Sequence, residues 1–480
     1  MDIPLIALDH AQSKGSEYAD IRIQKTKSEV IYLADMSLKY TNMEIIHGYG
    51  IRVLKNGAWG FAHSNIFTKH EVIKTVEQAI KVAELSAKIN KRKSVKLTHE
   101  RGYIDTYSTK MQIDPFQVPL KEKIELMHEV NKTMLNYAKI KSALFVLVNE
   151  NNDKIFASTL GSRIHTNTTH VYPRFEATAV NENDSQSRMF DKGGNAAGWE
   201  YVLKMNLLDK AVKTAEEAII KLEADEPNGI RRRDLILDPF NLGITMHESI
   251  GHPTELDRVL GWEADYAGVS FATPEKLKKY RIGSEIVNFV GDNTLSYGLA
   301  TAGYDDDGVP GQKWHIVKDG IFNEYGTTRD TAPIIGENLS RGCNRATHYY
   351  DFPINRIPNL YLEPGKKTLS PQELIADTED GIYIEGKRSF SIDNHRVNFQ
   401  FSGDMFWEIK NGKIVRPLKD VLYKSNNPEF WNACDAICDE RYWKDYGVFG
   451  CGKGQPAQSA RMTHGASTSR FRNIMVGGSK

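Results

Sequence analysis

The sequence has few cysteines, no long hydrophobic run and no signal-peptide pattern. Four cysteines in 480 residues are too few for a disulfide scaffold, so we predict a reducing compartment in which the thiols stay free. No apolar stretch approaches the roughly 18 residues that a membrane-spanning helix needs. The first residues lack a basic segment followed by a long apolar one. These features predict a cytoplasmic protein that does not span a membrane.

The sequence also lacks an excess of either charge. Lysine plus arginine number 62, and aspartate plus glutamate number 62. Nucleic-acid binding relies on excess basic side chains that contact phosphates, so a neutral chain predicts no nucleic-acid partner. The length suggests two or three domains with a large buried core.

The order of predicted elements indicates an α+β fold. Hydrophobic periodicity predicts helices over residues 71–88, 118–138 and 208–223 and a β-meander over 143–180. A strand over 48–57 should end in an Asn-Gly hairpin turn. The Pro and Asn-Gly of residues 224–229 mark a boundary. We therefore predict an N-terminal α+β domain over 1–226, with a division near 105 if it forms two subdomains, and a β-rich C-terminal domain over 227–480.

The segment M-H-E-S-I-G-H at residues 246–252 combines a His-Glu pair with a second histidine. In the common helical zinc motif H-E-x-x-H the histidines are four apart, which places both on one helix face. His247 and His252 are five apart, so a regular α-helix would separate them by about 140°. The spacing therefore leaves a metal site and a coincidence about equally open.

Two local arrangements would still bring the imidazoles together. Asp238 and Pro239 predict a helix start, with the helix continuing to about residue 250. Gly251 is typical of a left-handed helix end, and Pro253 disfavours the α conformation at His252, so the second histidine would lie on a turn. Alternatively, a π-bulge would absorb the extra residue.

A catalytic zinc site needs a third protein ligand and an open position for water. Glu255 is one candidate, and Cys451, in the glycine-rich loop of residues 449–456, is another. A lone cysteine is more often a small buried apolar residue. Cys434 and Cys438 are predicted on one helix over residues 428–440, capped by Asn427, and are expected in the core.

The segment H-E-S-I-G-H-P-T-E resembles the H-E-x-x-x-H signature of the TldD/PmbA metallopeptidases, formerly called modulators of DNA gyrase. The similarity covers most of the chain in the family's order, and its further blocks are residues 48–62, 305–312, 356–365, 380–383, 449–456 and 474–478. It implies a two-domain TldD/PmbA-like fold with mixed sheets and a β-rich C-terminal metallopeptidase domain. One segment departs from the family: residues 388–402 replace a glycine-rich stretch, which leaves the substrate profile open.

The resemblance also implies a site and a reaction. It assigns Zn²⁺ to His247, His252 and Cys451, with Glu248 as the catalytic base, and it makes Glu255 a residue that orients a ligand or faces the substrate. The chain resembles the catalytic, TldD-type subunit. It would hydrolyse unfolded or small peptides inside a cavity formed by a dimer, either with a TldE/PmbA-like partner or with a second copy.

Other residues and reactions stay open. Asp306, in the acidic turn of residues 305–307, could orient a ligand imidazole, and Arg345, His348 and His464 could stabilise an oxyanion. One alternative is a non-catalytic interaction protein with a structural zinc, which would need a fourth protein ligand. The other is a thiol peptidase that uses Cys451 and a histidine such as His464.

Overall fold

The computed structural model describes residues 2–89 and 94–478. Within them the α-helices are α1 (Ile3–Ser13), α2 (Lys69–Ile89), α3 (Leu120–Leu135), α4 (Glu200–Lys204), α5 (Leu207–Leu222), α6 (Pro239–Met246), α7 (Leu256–Val259), α8 (Ala264–Ala267), α9 (Pro371–Ala376) and α10 (Asn427–Asn432). In the same residues, no helix combines the length and the apolar character that membrane crossing requires.

The N-terminal strands are β1 (Tyr18–Ala34), β2 (Ser37–Lys55), β3 (Ala58–Ser64), β4 (Ile104–Ser108), β5 (Ile140–Ser158), β6 (Arg163–Val180) and β7 (Ser185–Phe190). The C-terminal strands are β8 (Ile230–Leu237), β9 (Phe289–Asp292), β10 (Lys313–Lys318), β11 (Ile321–Phe322), β12 (Asn344–Arg345), β13 (Ile354–Asn355), β14 (Leu360–Leu362), β15 (Asp380–Glu385), β16 (Phe390–Ile392), β17 (Asn398–Ser402), β18 (Met405–Lys410), β19 (Lys413–Leu418), β20 (Val421–Asn426), β21 (Cys434–Ile437), β22 (Lys444–Lys453), β23 (Gln458–Ala466) and β24 (Ser469–Gly478).

One sheet carries all the N-terminal strands, in the order β3-β2-β1-β5-β6-β4 with β7 on β6. The predicted helices correspond to α2, α3 and α5, and the predicted meander to the antiparallel pair β5 and β6. Asn56 and Gly57, both with positive φ, form the predicted hairpin turn. Two separate apolar cores lie along this sheet, one with α1 and α2 and one with α3 and α5. The domain boundary at 226 and the division near 105 stay predictions.

The C-terminal half contains two large mixed sheets. One has the order β16-β17-β20-β24-β8-β15-β18-β19, with β21 on β24, and the other β11-β10-β9-β14-β23-β22. Parallel pairs β8–β15 and β14–β23 stand beside antiparallel ones, which confirms the α+β class with mixed sheets. Helix α6 contributes Leu242 and Met246 to the core that both sheets share. Its C-terminal end therefore lies beside β22 and β23.

The predicted helix over 428–440 is wrong beyond its first turn. Helix α10 ends at residue 432, and its cap is Asn426 rather than Asn427. Cys434 begins β21, where it pairs with Phe471 of β24. Strand pairing across the sheet therefore overrides the local helical pattern. Cys434 and Cys438 are both buried, as expected of core residues.

Candidate metal centre

The His-Glu-containing segment forms a π turn at the end of α6. The Asp238 side chain accepts the N–H of Asn241 and caps the helix, as predicted. Residues 247–251 then continue as a π-helix, in which the His252 N–H bonds the His247 carbonyl. Because π-helical bonds join residues five apart, the two histidines lie on one face. Their ring centroids are 4.7 Å apart.

The predicted left-handed helix end is therefore wrong, and the alternative of a π-bulge is confirmed. Gly251 has φ −58° and His252 φ −61°, both right-handed. Gly251 serves close packing instead, since a Cβ there would lie 2.9 Å from Ile357 Cδ1. Pro253 falls within the following 3₁₀ turn, where the missing N–H is tolerated.

The π turn and strand β22 bring three potential ligands together. Ligand atoms of His247, His252 and Cys451 all lie within 4.8 Å of one another, and all three residues are buried. Cys451 Sγ is 3.5 Å from His252 Nε2. Nitrogen and sulfur ligands of one tetrahedral zinc are about 3.6 Å apart, given bonds of about 2.1 and 2.3 Å. The cysteine therefore fits a zinc ligand set.

Hydrogen bonds fix the orientation of both imidazoles. His252 Nδ1 is 2.8 Å from Glu255 Oε2, and His247 Nδ1 is 2.7 Å from His464 Nε2. His464 Nδ1 lies 3.3 Å from the Leu360 carbonyl, which can only accept a hydrogen bond. Neutral His464 therefore accepts through Nε2, and His247 donates from Nδ1. Both ligand histidines thus present an unprotonated Nε2 to the cluster.

The electrostatic environment favours the ligand forms of these side chains. Burial lowers the pKa of His247 to about 4, so the ring is neutral at neutral pH. Burial alone would raise the pKa of Cys451, but the charges of His252 and Arg356 outweigh it and the pKa falls below its usual value. Metals bind neutral imidazole and thiolate, so the lowered pKa of His247 favours metal uptake, and the charge of Arg356 favours the thiolate of Cys451.

Glu248 supplies a buried carboxylate beside the ligands. Its Oε2 forms an ion pair with Arg396 Nη1. Burial acts to raise the pKa of Glu248, but His252, His247 and Arg396 outweigh burial and lower it. The carboxylate is therefore ionised at neutral pH and able to accept a proton.

A buried lysine behind the ligands was missed by sequence reasoning. Lys453 Nζ lies 2.7 Å from Asp257 Oδ1 and 3.3 Å from Glu255 Oε1, and its side chain has no exposed surface. It therefore ties the end of β22 to the segment that follows His252. In the sequence, the only indication of a role for Lys453 is its position two residues after Cys451. Arg396 was missed as well, although it lies in the segment that departs from the family.

A cavity of about 990 Å³ opens onto the cluster and takes residues from both halves of the chain. Tyr172 of β6 stacks on Phe449 of β22 with ring centroids 4.6 Å apart, which gives one aromatic wall. Basic side chains line other parts of it: Arg174, Lys387, Arg388 and Arg396. An open cavity of this size can admit a flexible chain of several residues.

Three of the residues singled out in the sequence lie elsewhere. Asp306 binds Lys154 at 2.5 Å, Arg345 donates to main-chain carbonyls, and His348 packs beside Tyr350. None of the three lines the cavity at the ligands. Two further residues singled out in the sequence do reach the site: Glu255 contacts the imidazole of His252, and His464 contacts that of His247.

Sequence profiles of three PmbA/TldA metallopeptidase domains match the chain in order. Domain 1 matches residues 19–83, the central domain 113–224 and the C-terminal domain 231–478. The chain belongs to the PmbA/TldD metallopeptidase family. Its similarity to the relatives described next extends over 84% to 98% of the chain.

Two curated relatives illustrate that similarity. A metalloprotease of Methanocaldococcus jannaschii is 32% identical over 84% of this chain and 86% of its own length. A protein of Saccharolobus solfataricus named zinc metalloprotease TldD homolog is 23% identical over 98% of each chain.

Solved structures of the PmbA/TldD family share the fold. A Thermotoga maritima protein described as a modulator of a DNA gyrase has a TM-score of 0.78 at 16% identity and covers 99% of each chain. TldE from Thermococcus kodakarensis has a TM-score of 0.75 at 14% identity over 97% of this chain and 98% of its own. At these identities the likeness concerns the fold alone.

Proposed function

We propose that this chain is a zinc-dependent peptidase that hydrolyses unfolded or small peptides within a cavity enclosed by a dimer. The observation that carries the proposal is the buried cluster of His247, His252 and Cys451, with the ionised Glu248 carboxylate beside it. The name of the Saccharolobus relative supports zinc as the metal. The four free, buried cysteines fit a reducing cytoplasm.

The donor set favours a catalytic over a structural zinc. The cluster found among the described residues offers three ligand side chains, whereas structural zinc sites are usually closed by four. A zinc ion held there supplies Lewis-acid chemistry, which acidifies water and polarises a peptide carbonyl at neutral pH. The alternative of an interaction protein with a structural zinc is thereby less favoured.

The protein's own residues transfer the protons and orient the two imidazole rings. Glu248 accepts a proton from water and delivers it to the leaving amine. Glu255 and His464 hold the ligand rings through their Nδ1 atoms, so each Nε2 keeps its direction. The peptide lies in the cavity between β6 and β22. A TldE-like companion, suggested by the fold shared with TldE, or a second copy closes it.

The test combines metal analysis with digestion of an unstructured peptide. We expect about one zinc per chain in wild type and in Glu248→Gln. The rate of peptide hydrolysis should be about 10²- to 10⁴-fold lower in the variant, because it lacks the general base. Glu125→Gln, on the exposed surface of α3, is the matched control. Full activity in Glu248→Gln would contradict the mechanism. An inactive wild type is assayed again with a TldE-like companion.

A thiol peptidase is the second candidate, because one set of distances favours it. Cys451 Sγ lies 3.5 Å from His252 Nε2, and His252 Nδ1 lies 2.8 Å from Glu255. This order of nucleophile, base and orienting acid is that of thiol hydrolases. The histidine at the thiol is His252 rather than the predicted His464. Activity that survives complete metal removal but ends on alkylation of the metal-free thiol would establish this candidate.

A further inference from the structure

A rigid hairpin delivers Arg396 to the site. Strands β16 and β17 are joined by a turn in which Asp393 Oδ1 accepts the N–H groups of His395 and Val397. The Arg396 N–H donates to the Asp393 carbonyl, and a neighbouring loop donates from Val269 and Phe271 to the carbonyls at 394 and 395. Hydrogen bonds within the turn and hydrogen bonds from the neighbouring loop therefore both fix the hairpin tip.

The backbone of Arg396 has an unusual conformation that the surroundings maintain. Its φ is +61°, in the left-handed region that arginine seldom occupies. Its carbonyl accepts a hydrogen bond from Asn427 Nδ2, which also donates to the carbonyl of Ser249 on the π turn. Such conformations persist where the surroundings over-determine them, and they cluster at functional sites. Asn427 thus connects the backbone of Arg396 directly to the metal-ligand turn.

The side chain of Arg396 reaches the carboxylate that we assign as the base. Its Nη1 contacts Glu248 Oε2, with 13% of the arginine and 7% of the glutamate side chain exposed. Since this contact uses Oε2, Oε1 is the oxygen left to exchange a proton. The low exposure means that solvent screens the pair weakly.

We propose that Arg396 is a positioning residue, whose guanidinium holds Glu248 in one orientation toward the ligand cluster. The inference rests on the proposed peptidase function and gives a role to the segment 388–402 that departs from the family. A fixed carboxylate matters because small displacements of a reacting group reduce turnover without preventing substrate binding. Arg396 itself acts through Glu248.

The experiment compares Arg396→Ala and Arg396→Lys with wild type. We expect kcat to fall about 10- to 100-fold in Arg396→Ala, with KM and zinc content close to wild type, because Glu248 loses its fixed orientation. Millimolar guanidinium ion should restore part of kcat in Arg396→Ala, and the lysine variant should retain an intermediate kcat. Arg231→Gln is the matched control, since Arg231 pairs with Asp380 on the surface and 53% of its side chain is exposed.

The outcomes separate this inference from the function on which it rests. If wild type, alone and with a companion, cuts no peptide, the peptidase proposal and the role of Arg396 both fall. If wild type cuts and Arg396→Ala keeps wild-type kcat, only the role of Arg396 is overturned. A lower kcat that comes with zinc loss and no guanidinium rescue overturns it too, because Arg396 would then only support the fold.

Discussion

His252 is held by a carboxylate that is itself held by a buried lysine. Glu255 lies 2.8 Å from His252 Nδ1 and 3.3 Å from Lys453 Nζ. Burial would raise the pKa of Glu255, but Lys453 and His252 outweigh it and place the pKa well below its usual value. An ionised Glu255 is a strong acceptor for the imidazole N–H, so it holds the His252 ring in one orientation.

Replacing Glu255 by glutamine should therefore weaken zinc binding. The amide keeps the shape but loses the charge that accepts the His252 N–H, so we expect zinc affinity to fall about 10- to 100-fold. Competition with a chromophoric chelator measures the change, with Glu125→Gln as the surface control. Unchanged affinity in Glu255→Gln would mean that the His252 ring is oriented by other contacts.

Some residues of the site could be predicted from the sequence, and others could not. The family resemblance gave the ligand set and Glu248, and the structure brings these residues together. Glu255 is close to His252 in sequence, so a local turn suffices to join them. His464 contacts His247, and Arg396 contacts Glu248. Both contacts join residues more than a hundred positions apart in the sequence, and both depend on strand pairing. The sequence carries no local signal of such pairing, which is why Asp306, Arg345 and His348 stood as equal candidates.

At the scale of elements, the π turn shows how packing overrides local preference. Gly251 and Pro253 favour a helix end, and the sequence pattern predicted one. The close approach of Ile357 to Gly251, together with the capped start at Asp238, keeps the chain right-handed through both histidines. The one residue by which the His247–His252 spacing exceeds that of H-E-x-x-H is therefore accommodated by the π turn, and not by a turn after the helix.

The contact between α6 and β22 should determine the ligand geometry as well. A Cβ added at Gly243 would lie 1.7 Å from Tyr446 Cε1, and Tyr446 precedes Cys451 on the same strand. Gly243→Ala must displace the buried ring of Tyr446, and overpacking of this kind costs about 1–3 kcal/mol. We expect lower unfolding free energy and weaker zinc binding together.

Urea unfolding and chelator competition measure the two effects of Gly243→Ala. Gly452→Ala is the control for unfolding, because a Cβ there meets nothing within 4 Å. A variant that is less stable but binds zinc as tightly as wild type would separate helix packing from ligand geometry.

At the scale of the whole molecule, the acidic turn of residues 305–307 connects the two halves of the chain. Arg52 of β2 lies 2.7 Å from both Asp20 and Asp307, and Lys154 of β5 lies 2.5 Å from Asp306. All of these carboxylates are buried. The turn that the sequence analysis considered as part of the site thus joins the N-terminal sheet to the C-terminal half.

Arg52→Met should destabilise the whole protein. It leaves Asp20 and Asp307 buried without their shared cation, and breaking a buried ion pair on one side costs about 3–5 kcal/mol. Urea unfolding checks the loss. Arg231→Met removes a surface ion pair of about 0–1 kcal/mol and is the control. A loss in Arg52→Met no larger than in Arg231→Met would contradict a structural role for this network.

The fold as a whole was predictable only in class. Local periodicity located α2, α3, α5 and the β5–β6 pair, since each depends on neighbouring residues. The order of the C-terminal sheets was not predictable, because β8 lies between β15 and β24, strands that come far later in the chain. Such pairings follow from which apolar faces bury each other, and local patterns along the sequence do not reveal them.

The wide separation of the ligands along the chain has a consequence for biosynthesis. Cys451 lies 199 residues after His252, so a growing chain holds an incomplete ligand set for most of its synthesis. Under the proposed function, a peptidase for unfolded chains would otherwise encounter its own nascent segments as substrate. A site that needs Cys451 would stay inactive until β22 has been made, which would spare the growing chain from self-digestion.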